Sequence, residues 1–320
     1  MKHIATTGFF DGVHKGHRAV LEKVMQEAQA QGKESMVITF WPHPRTVLGQ
    51  DAEKLRLLNS VEEKKRLLLG LGIQHIEIIP FSHELAAMTT GEFFDRYLKQ
   101  QLNVDHLVIG HDHRLGNRAI DDFEAMKKLS EPLGITVERV SAISYASFFG
   151  PDTSVFVPKN NTVSSTKIRE ALKGGDVKSA NECLGYCYGL YGVVVEGSKI
   201  GRTLGFPTAN MQLYEPLKQL PADGVYAALV TVARREYRGV MNVGVRPTLR
   251  SAAGRVIETH IFDFNEDIYG QPIEVRLVHR IREERRFNSL EELKQQIAKD
   301  KDDSLLHFEK LNAVNRTSND

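Results

Sequence analysis

The chain has 320 residues, room for about two domains, each long enough to bury its own core. It is 41% hydrophobic and 26% charged with 25 Gly and 11 Pro, which excludes a largely disordered or collagen-like chain. With 42 basic against 41 acidic residues the net charge is +1, so no global field draws it to nucleic acid or to an anionic membrane.

Up to about residue 183 the pattern alternates strands with amphipathic helices. Residues 2–7 read as a short apolar strand, and 17–30 carry Val20, Leu21, Val24, Met25 and Ala28 on one helical face. Met36–Phe40 is a second strand. Ser60 with Glu63, and Thr89 with Glu92, are capping boxes that open two more helices. Strand-like segments follow near 75–80, 105–109 and 135–140. This βα alternation predicts a parallel sheet covered by helices on both faces. After about residue 187 the runs Tyr188–Glu196, Val225–Ala233, Tyr237–Val243, Val256–Phe262 and Ile273–Val278 are β-rich and punctuated by Gly and Pro. They predict an antiparallel barrel or sandwich. Leu290, Leu293 and Ile297 mark a late helix, and 312–320 is polar and expected to fray. No apolar run reaches the roughly 18 residues of a membrane helix. The start of the chain breaks at Asp11 and does not read as a secretory signal. Cys183 and Cys187 are too few to staple a chain of this size, so cytosolic thiols and a cytoplasmic location are expected.

Gly8-Phe9-Phe10-Asp11-Gly12-Val13-His14-Lys15-Gly16-His17 lies between the first strand and the first helix. Open α/β sheets bind ligands where their strands end. Glycines let backbone approach a phosphate, and a helix N-terminus adds partial positive charge. His14 and His17, three apart, share one face of the first turn and can donate hydrogen bonds to phosphate oxygens. Alone, the pair also fits a Gly-rich turn with two surface histidines, and a zinc reading lacks a third ligand. Ser164, Ser165, Thr166 and Arg169 gather at a second helix start, as an anion site or as an ordinary Ser cap. Pro42 and Pro44 stiffen the loop after the second strand. Asp112 sits in Gly110–Gly116, after another strand.

In the second half, Gly201-Arg202-Thr203-Leu204-Gly205-Phe206-Pro207-Thr208-Ala209-Asn210 separates two β-rich runs. Gly201 and Gly205 permit turns and Pro207 fixes one. Thr208 and Asn210 offer neutral oxygens on one side of an extended segment, a donor set that suits magnesium with nucleotide phosphates. A hairpin loop with an Asn turn reads equally well from this string alone. Glu258 alternates with Ile257 and Thr259 on a strand, where it can face a cleft or solvent. There is no G-x-x-x-x-G-K-[ST] string, and Gly70-Leu71-Gly72 follows a helix, so it reads as a helix stop rather than a dinucleotide fingerprint.

The first string and Val163–Leu172 resemble the paired phosphate signatures of the HxGH nucleotidylyltransferases, flavin adenylyltransferase branch, with Val163 in place of an Ile. The string 201–210 is similar to the riboflavin kinase signature, and Asp223–Ala227, Asn242–Thr248, Ile257–Phe262 and Asp267–Gly270 follow in that family's order. Together the halves resemble the bifunctional riboflavin kinase/FAD synthetases of prokaryotic type. The resemblance implies a Rossmann-like adenylyltransferase domain over 1–186, a kinase barrel over 187–311 and a flexible tail over 312–320. It implies ATP and flavins (riboflavin, FMN, FAD) as small-molecule partners and Mg²⁺ with the ATP; the balanced charge and the lack of a long apolar run predict no nucleic acid or membrane partner. It implies Glu258 as the kinase base, with Gly201, Gly205, Pro207 and Thr208 on phosphate and Thr208 and Asn210 on metal. For adenylyl transfer it implies His14 and His17 as catalytic groups, and Gly8, Phe9, Asp11, Gly12, Gly16, Ser164, Ser165, Thr166 and Arg169 on ATP. Pro42, Pro44 and Asp112 then fall to the flavin. The branch usually has aromatics near positions 113 and 115, where this chain has His113 and Leu115, so flavin stacking there is not implied.

Overall fold

A computed structural model describes residues 2–49, 51–111, 123–141, 163–197, 200–245 and 254–317, with side chains described up to Lys310 and not at Ile200. Contacts divide the chain into two compact units, Met1–Ser165 and Thr166–Asp320.

The first unit is built on a five-stranded parallel sheet in the order β3-β2-β1-β4-β5. The strands are β1 (His3–Thr7), β2 (Glu34–Trp41), β3 (His75–Pro80), β4 (Val104–Ile109) and β5 (Thr136–Arg139). Successive residues of a strand face opposite sides. Ile4 and Val108 therefore meet Val20, Val24 and Ala28 of helix α1 (Lys15–Gln31) on one face. Ala5, Met36, Ile38, Leu107 and Ile109 pack with Phe94, Leu98 and Met126 on the other. Both faces are covered, as the βα pattern predicts. Helix α1 stops at Gly32, whose φ of 60° lets its N–H return to the carbonyls of Ala28 and Gln29. After helix α2 (Pro44–Leu48), both capping boxes form: Ser60 with Glu63 opens α3 (Val61–Gly70), and, beyond α4 (His83–Ala87), Thr89 with Glu92 opens α5 (Thr90–Phe93). Helix α5 widens into a π-helical stretch, Phe94–Gln101, which helical periodicity alone does not distinguish. Helix α6 (Phe123–Ser130) precedes β5. Chain order runs outward from β1 through β2 and β3, then restarts at β4 on the other side of β1. The reversal puts the end of β1 at a switch point, where crevices form.

The second unit opens with helices α7 (Ser165–Gly174) and α8 (Val177–Leu184). A closed antiparallel barrel follows, in the order β10-β7-β6-β11-β8-β9. Its strands are β6 (Gly189–Val195), β7 (Ala209–Leu213), β8 (Gly224–Val232), β9 (Arg235–Val245), β10 (Arg255–Ile261) and β11 (Pro272–Arg282). Five of these strands match the β-rich runs. The sixth, β7, emerges from the Gly201–Asn210 string: Ala209, Met211 and Leu213 alternate with Asn210 and Gln212 over only five residues. The register makes Leu190, Val194, Met211, Tyr226, Val230, Met241, Val243, Ile257, Val275 and Leu277 an inward, buried set. Asn210, Glu258 and Asn242 are consecutive register partners across β7, β10 and β9, so they share the outward face. After the short helix α9 (Ile200–Thr203) in the β6–β7 connection, the remaining helix is α10 (Leu290–Thr317). It continues through Thr317, into the stretch that polarity alone predicts to fray. Phe308 packs it onto Val225, Ala227, Val240 and Phe262 of the outward face. Arg282 donates from Nε (2.9 Å) and Nη2 (2.8 Å) to the two carboxylate oxygens of buried Asp300. Among the described residues no helix is long and apolar enough to cross a membrane.

Candidate functional site

The loop after β1 is held in a shape its sequence alone would not keep. Gly12 takes φ +88°, and two non-glycine residues, Phe10 (+48°) and Val13 (+36°), also adopt left-handed backbone. Such positions cost about 1–3 kcal/mol each and persist only where surroundings impose them. The surroundings here are specific. Phe10 and Val13 are buried among Leu21, Val37, Leu68 and Ile73. The Gly8 N–H donates to Ile38 O at 3.0 Å. The buried Asp11 carboxylate accepts the Leu58 N–H at both oxygens (2.9 and 3.1 Å) and the Asn59 N–H at 3.1 Å. Asp11 thus turns inward and ties the loop to the segment before α3. The Ser165 hydroxyl donates to the Asp11 carbonyl at 2.8 Å, tying Ser165 to the Gly8–His17 loop.

His14 caps α1. The His17 N–H donates to His14 Nδ1 at 3.3 Å, so the proton of a neutral His14 is on Nε2. The two rings stack, 3.6 Å apart and 16° from parallel. Burial holds the His17 imidazole well below the usual histidine range, and His14 and Lys64 push it further down. At neutral pH His17 is therefore an uncharged hydrogen-bond donor and acceptor. Gly16 lies close against the first histidine: a Cβ there would stand 3.2 Å from the His14 ring, tighter than ordinary contact, and 3.6 Å from the Val163 carbonyl.

The buried cation of this site is Lys64 of α3, which the sequence reading misses. Its ammonium donates to Thr39 Oγ1 at 3.3 Å, lies 4.6 Å from the centre of the Phe9 ring, and is 3% exposed. The Thr39 hydroxyl in turn donates to Phe9 O at 3.3 Å. Burial lowers Lys64 to a pKa of about 8, against the opposing pull of Asp11. Pro42 and Pro44 flank His43, which caps α2 and sits 4.2 Å from the Phe9 ring, so this loop borders the Gly8–His17 loop. Ser164 precedes α7, and Thr166 and Arg169 lie in its first turn and a half. Asp112, His113 and Leu115 lie outside the described residues.

In the barrel, a cleft of about 310 Å³ is lined by Arg202, Pro207, Thr208, Thr259, Asp267 and Tyr269, among others. It unites the glycine string with β10 and with the Asp267–Gly270 block. Gly205 takes φ +87°, and a Cβ on Gly201 would meet Phe206 O at 2.4 Å, so both glycines answer backbone demands. The residues lining this cleft do not include Asn210 or Glu258. Those two face each other in register on the outward side, with Asn242 next in the row. Buried Asn210 lies against the backbone of Gly197, where a Cβ would overlap its amide. His260, on the same face as Glu258, anchors the loop by donating from Nδ1 to Pro207 O at 2.8 Å. Burial keeps it below the usual histidine range despite that bond. It too escapes sequence reading, because a lone strand histidine has no distinguishing neighbour.

Two family models match: FAD synthetase over residues 1–148 and riboflavin kinase over 184–307. The chain is similar to the bifunctional riboflavin kinase/FMN adenylyltransferase of Bacillus subtilis, with 36% identity covering 97% of this chain and 94% of the relative. The Escherichia coli K12 protein of the same description is 35% identical, covering 93% and 90%. This chain belongs to the bifunctional riboflavin kinase/FMN adenylyltransferase family. A crystal structure titled macrolide-efflux protein from Streptococcus pneumoniae also superposes on it, with TM-score 0.81, 31% identity, and coverage of 94% and 93%.

Within the riboflavin kinase/FMN adenylyltransferase frame, the Gly8–His17 loop, Pro42, Pro44 and Lys64 fall in the FAD synthetase match. The Gly201–Asn210 string, Glu258 and His260 fall in the riboflavin kinase match. Ser164, Ser165, Thr166 and Arg169 lie between the two matched stretches.

Proposed function

We propose that this chain carries out both reactions of its family: phosphorylation of riboflavin by ATP to give FMN in the barrel, and adenylylation of FMN by a second ATP to give FAD and pyrophosphate on the parallel sheet. Adenylyl transfer is assigned to residues 1–186 and the kinase to 187–311. The carrying observation is the pair of glycine-shaped loops, one at each scaffold: Gly12 (φ +88°) in the first and Gly205 (φ +87°) in the second take left-handed backbone, and a Cβ on Gly201 would meet Phe206 O.

In adenylyl transfer an FMN phosphate oxygen attacks the α-phosphorus of ATP, and pyrophosphate leaves. A phosphate monoester, with a second pKa of about 6, is already anionic at neutral pH, so no strong base is needed. His14, through its Nε2–H, and the neutral His17 imidazole supply N–H donors as charge develops, and Lys64 supplies a positive charge beneath the loop. Gly8, Phe9, Gly12 and Gly16 let the backbone approach the phosphates, and Asp11 acts by holding that backbone in place. Ser164, Ser165, Thr166 and Arg169 are assigned to the phosphates at the start of α7. Pro42, Pro44 and Asp112 are assigned to the flavin.

In the kinase, Glu258 accepts the proton of the riboflavin hydroxyl as its oxygen attacks the γ-phosphorus, and ADP leaves. Gly201, Gly205, Pro207 and Thr208 shape the phosphate loop. Thr208, Asn210 and neighbouring Glu258 offer only oxygen donors, the set a magnesium ion takes. Bound there with ATP, Mg²⁺ would neutralise phosphate charge.

The test separates the two halves. His14→Ala with His17→Ala should abolish FAD formation from FMN and ATP while FMN still forms from riboflavin. Glu258→Ala should do the reverse. Loss of both activities in a folded variant of either kind would overturn the assignment.

A further inference from the structure

The phosphate loop sits at the C-terminal end of β1; a different cluster occupies the opposite end of the same sheet. His3, Glu34 and His75 are the first residues of β1, β2 and β3. His3 and Glu34 are register partners, and His75 pairs with Met36, two residues along from Glu34 on the same face. His75 Nε2 is 2.7 Å from Glu34 Oε2, and His3 Nε2 is 3.7 Å from that same oxygen. One ligand atom from each of the three lies within 4.8 Å of the others. With metal–ligand bonds of about 2.0–2.1 Å, tetrahedral ligand atoms are about 3.3 Å apart, so the two measured separations bracket that edge.

A second observation orients the cluster. His3 Nδ1 is 2.8 Å from the Leu102 carbonyl, which can only accept, so Nδ1 carries the proton. In the neutral ring Nε2 then holds a lone pair, aimed toward Glu34. A ring nitrogen tied to a backbone carbonyl while the other nitrogen stays available is the outer-shell arrangement of metal-bound histidine. The flanking cations do not compete for the carboxylate: Lys2 and Lys33 both pair with Asp105, at 2.9 and 2.8 Å. The side chains are 14% (His3), 29% (Glu34) and 44% (His75) exposed, which leaves a path for an ion and a solvent-facing coordination position.

We propose that His3, Glu34 and His75 bind one divalent transition-metal ion of the zinc class, clamping the first three strands of the sheet at the end away from the nucleotide loop. Two imidazoles and one carboxylate suit Zn²⁺ or Co²⁺ and do not suit Mg²⁺, which prefers an all-oxygen shell. The site is thus distinct in chemistry from the one that handles ATP.

The probe is Co²⁺ added to the chelator-treated full chain, followed by visible absorption and equilibrium dialysis, with Zn²⁺ as competitor. One saturable equivalent with the intense bands of low-coordinate Co²⁺, displaced by Zn²⁺, is expected. His75→Gln should weaken it by at least about 10-fold, the loss typical of even an outer-shell change, while His14→Ala with His17→Ala should leave it intact. Glu34→Gln, close in shape, repeats the test should His75→Gln fail to fold. FMN and FAD formation in His75→Gln should match the parent. Absence of a saturable equivalent, unchanged affinity in His75→Gln, or loss of the bands in the His14/His17 variant would each overturn the proposal.

Discussion

Replacing Asp11 by Ala tests whether the nucleotide loop is held by a buried carboxylate. The Asp11 oxygens satisfy two buried backbone donors, Leu58 N–H and Asn59 N–H. Leaving a buried donor unpaired costs about 1–3 kcal/mol, so two put the expected loss at about 2–6 kcal/mol. That is a large share of the roughly 5–15 kcal/mol that stabilises a domain. The strained backbone at Phe10 and Val13 loses its anchor at the same time, so the loop should relax away from its present shape. Urea unfolding can be followed by Trp41, the only tryptophan of the chain, at the end of β2 in the first unit. Asp11→Ala should lower the stability read by Trp41 and suppress FAD formation from FMN, with FMN formation from riboflavin retained. Asp11→Asn keeps one acceptor oxygen and should fall between. A stability change under about 0.5 kcal/mol, the size of an ordinary surface substitution, would refute the reasoning.

Lys64→Met should stabilise the first unit at pH 7 by up to about 3 kcal/mol, since a drop of about 2.5 in pKa is worth about 1.36 kcal/mol each, while FAD formation falls. Between about pH 8 and 10.5 the unfolded chain holds the Lys64 proton and the folded chain does not, so stability read by Trp41 should rise with pH across that window in the parent and stay flat in Lys64→Met. Gly16→Ala places a Cβ against the His14 ring; FAD formation should drop by about 10- to 100-fold, as misplaced catalytic groups do, with kinase turnover as the internal control. Asp300→Ala leaves the Arg282 guanidinium without its bidentate partner; a loss of about 3–5 kcal/mol and faster proteolysis of α10 are expected, checked by thermal melts and timed digestion.

Much of the architecture is legible in the letters because period and punctuation agree. Ser60 and Glu63, or Thr89 and Glu92, are three apart before an apolar face, and both boxes close. Strand β7 is hidden because its five residues continue a glycine loop, and only the neighbours β6 and β10 make them a strand. At the first site the glycines and histidines are visible, but the destination of each polar side chain is not. Asp11 falls to ATP by resemblance, and the letters do not show that its carboxylate is buried on backbone donors. Lys64 belongs to the run Glu62-Glu63-Lys64-Lys65-Arg66, which reads as a solvated face. The helix turns Glu63 and Lys64 inward and leaves Glu62 exposed. Glu258 is legible as a strand carboxylate, but its pairing with Asn210 depends on a register that only the folded ladder fixes.

Because the β-ladder of the second unit forms a ring, it has no terminal strand and offers no row of vacant backbone donors to a passing chain. The two-residue period also divides the work of its two surfaces: apolar letters inside fill the wall, while outside the Asn210–Glu258–Asn242 row runs on into Val225, which with Ala227 and Val240 seats Phe308 of α10. Where α10 covers it, such a wall constrains its exterior as tightly as its interior.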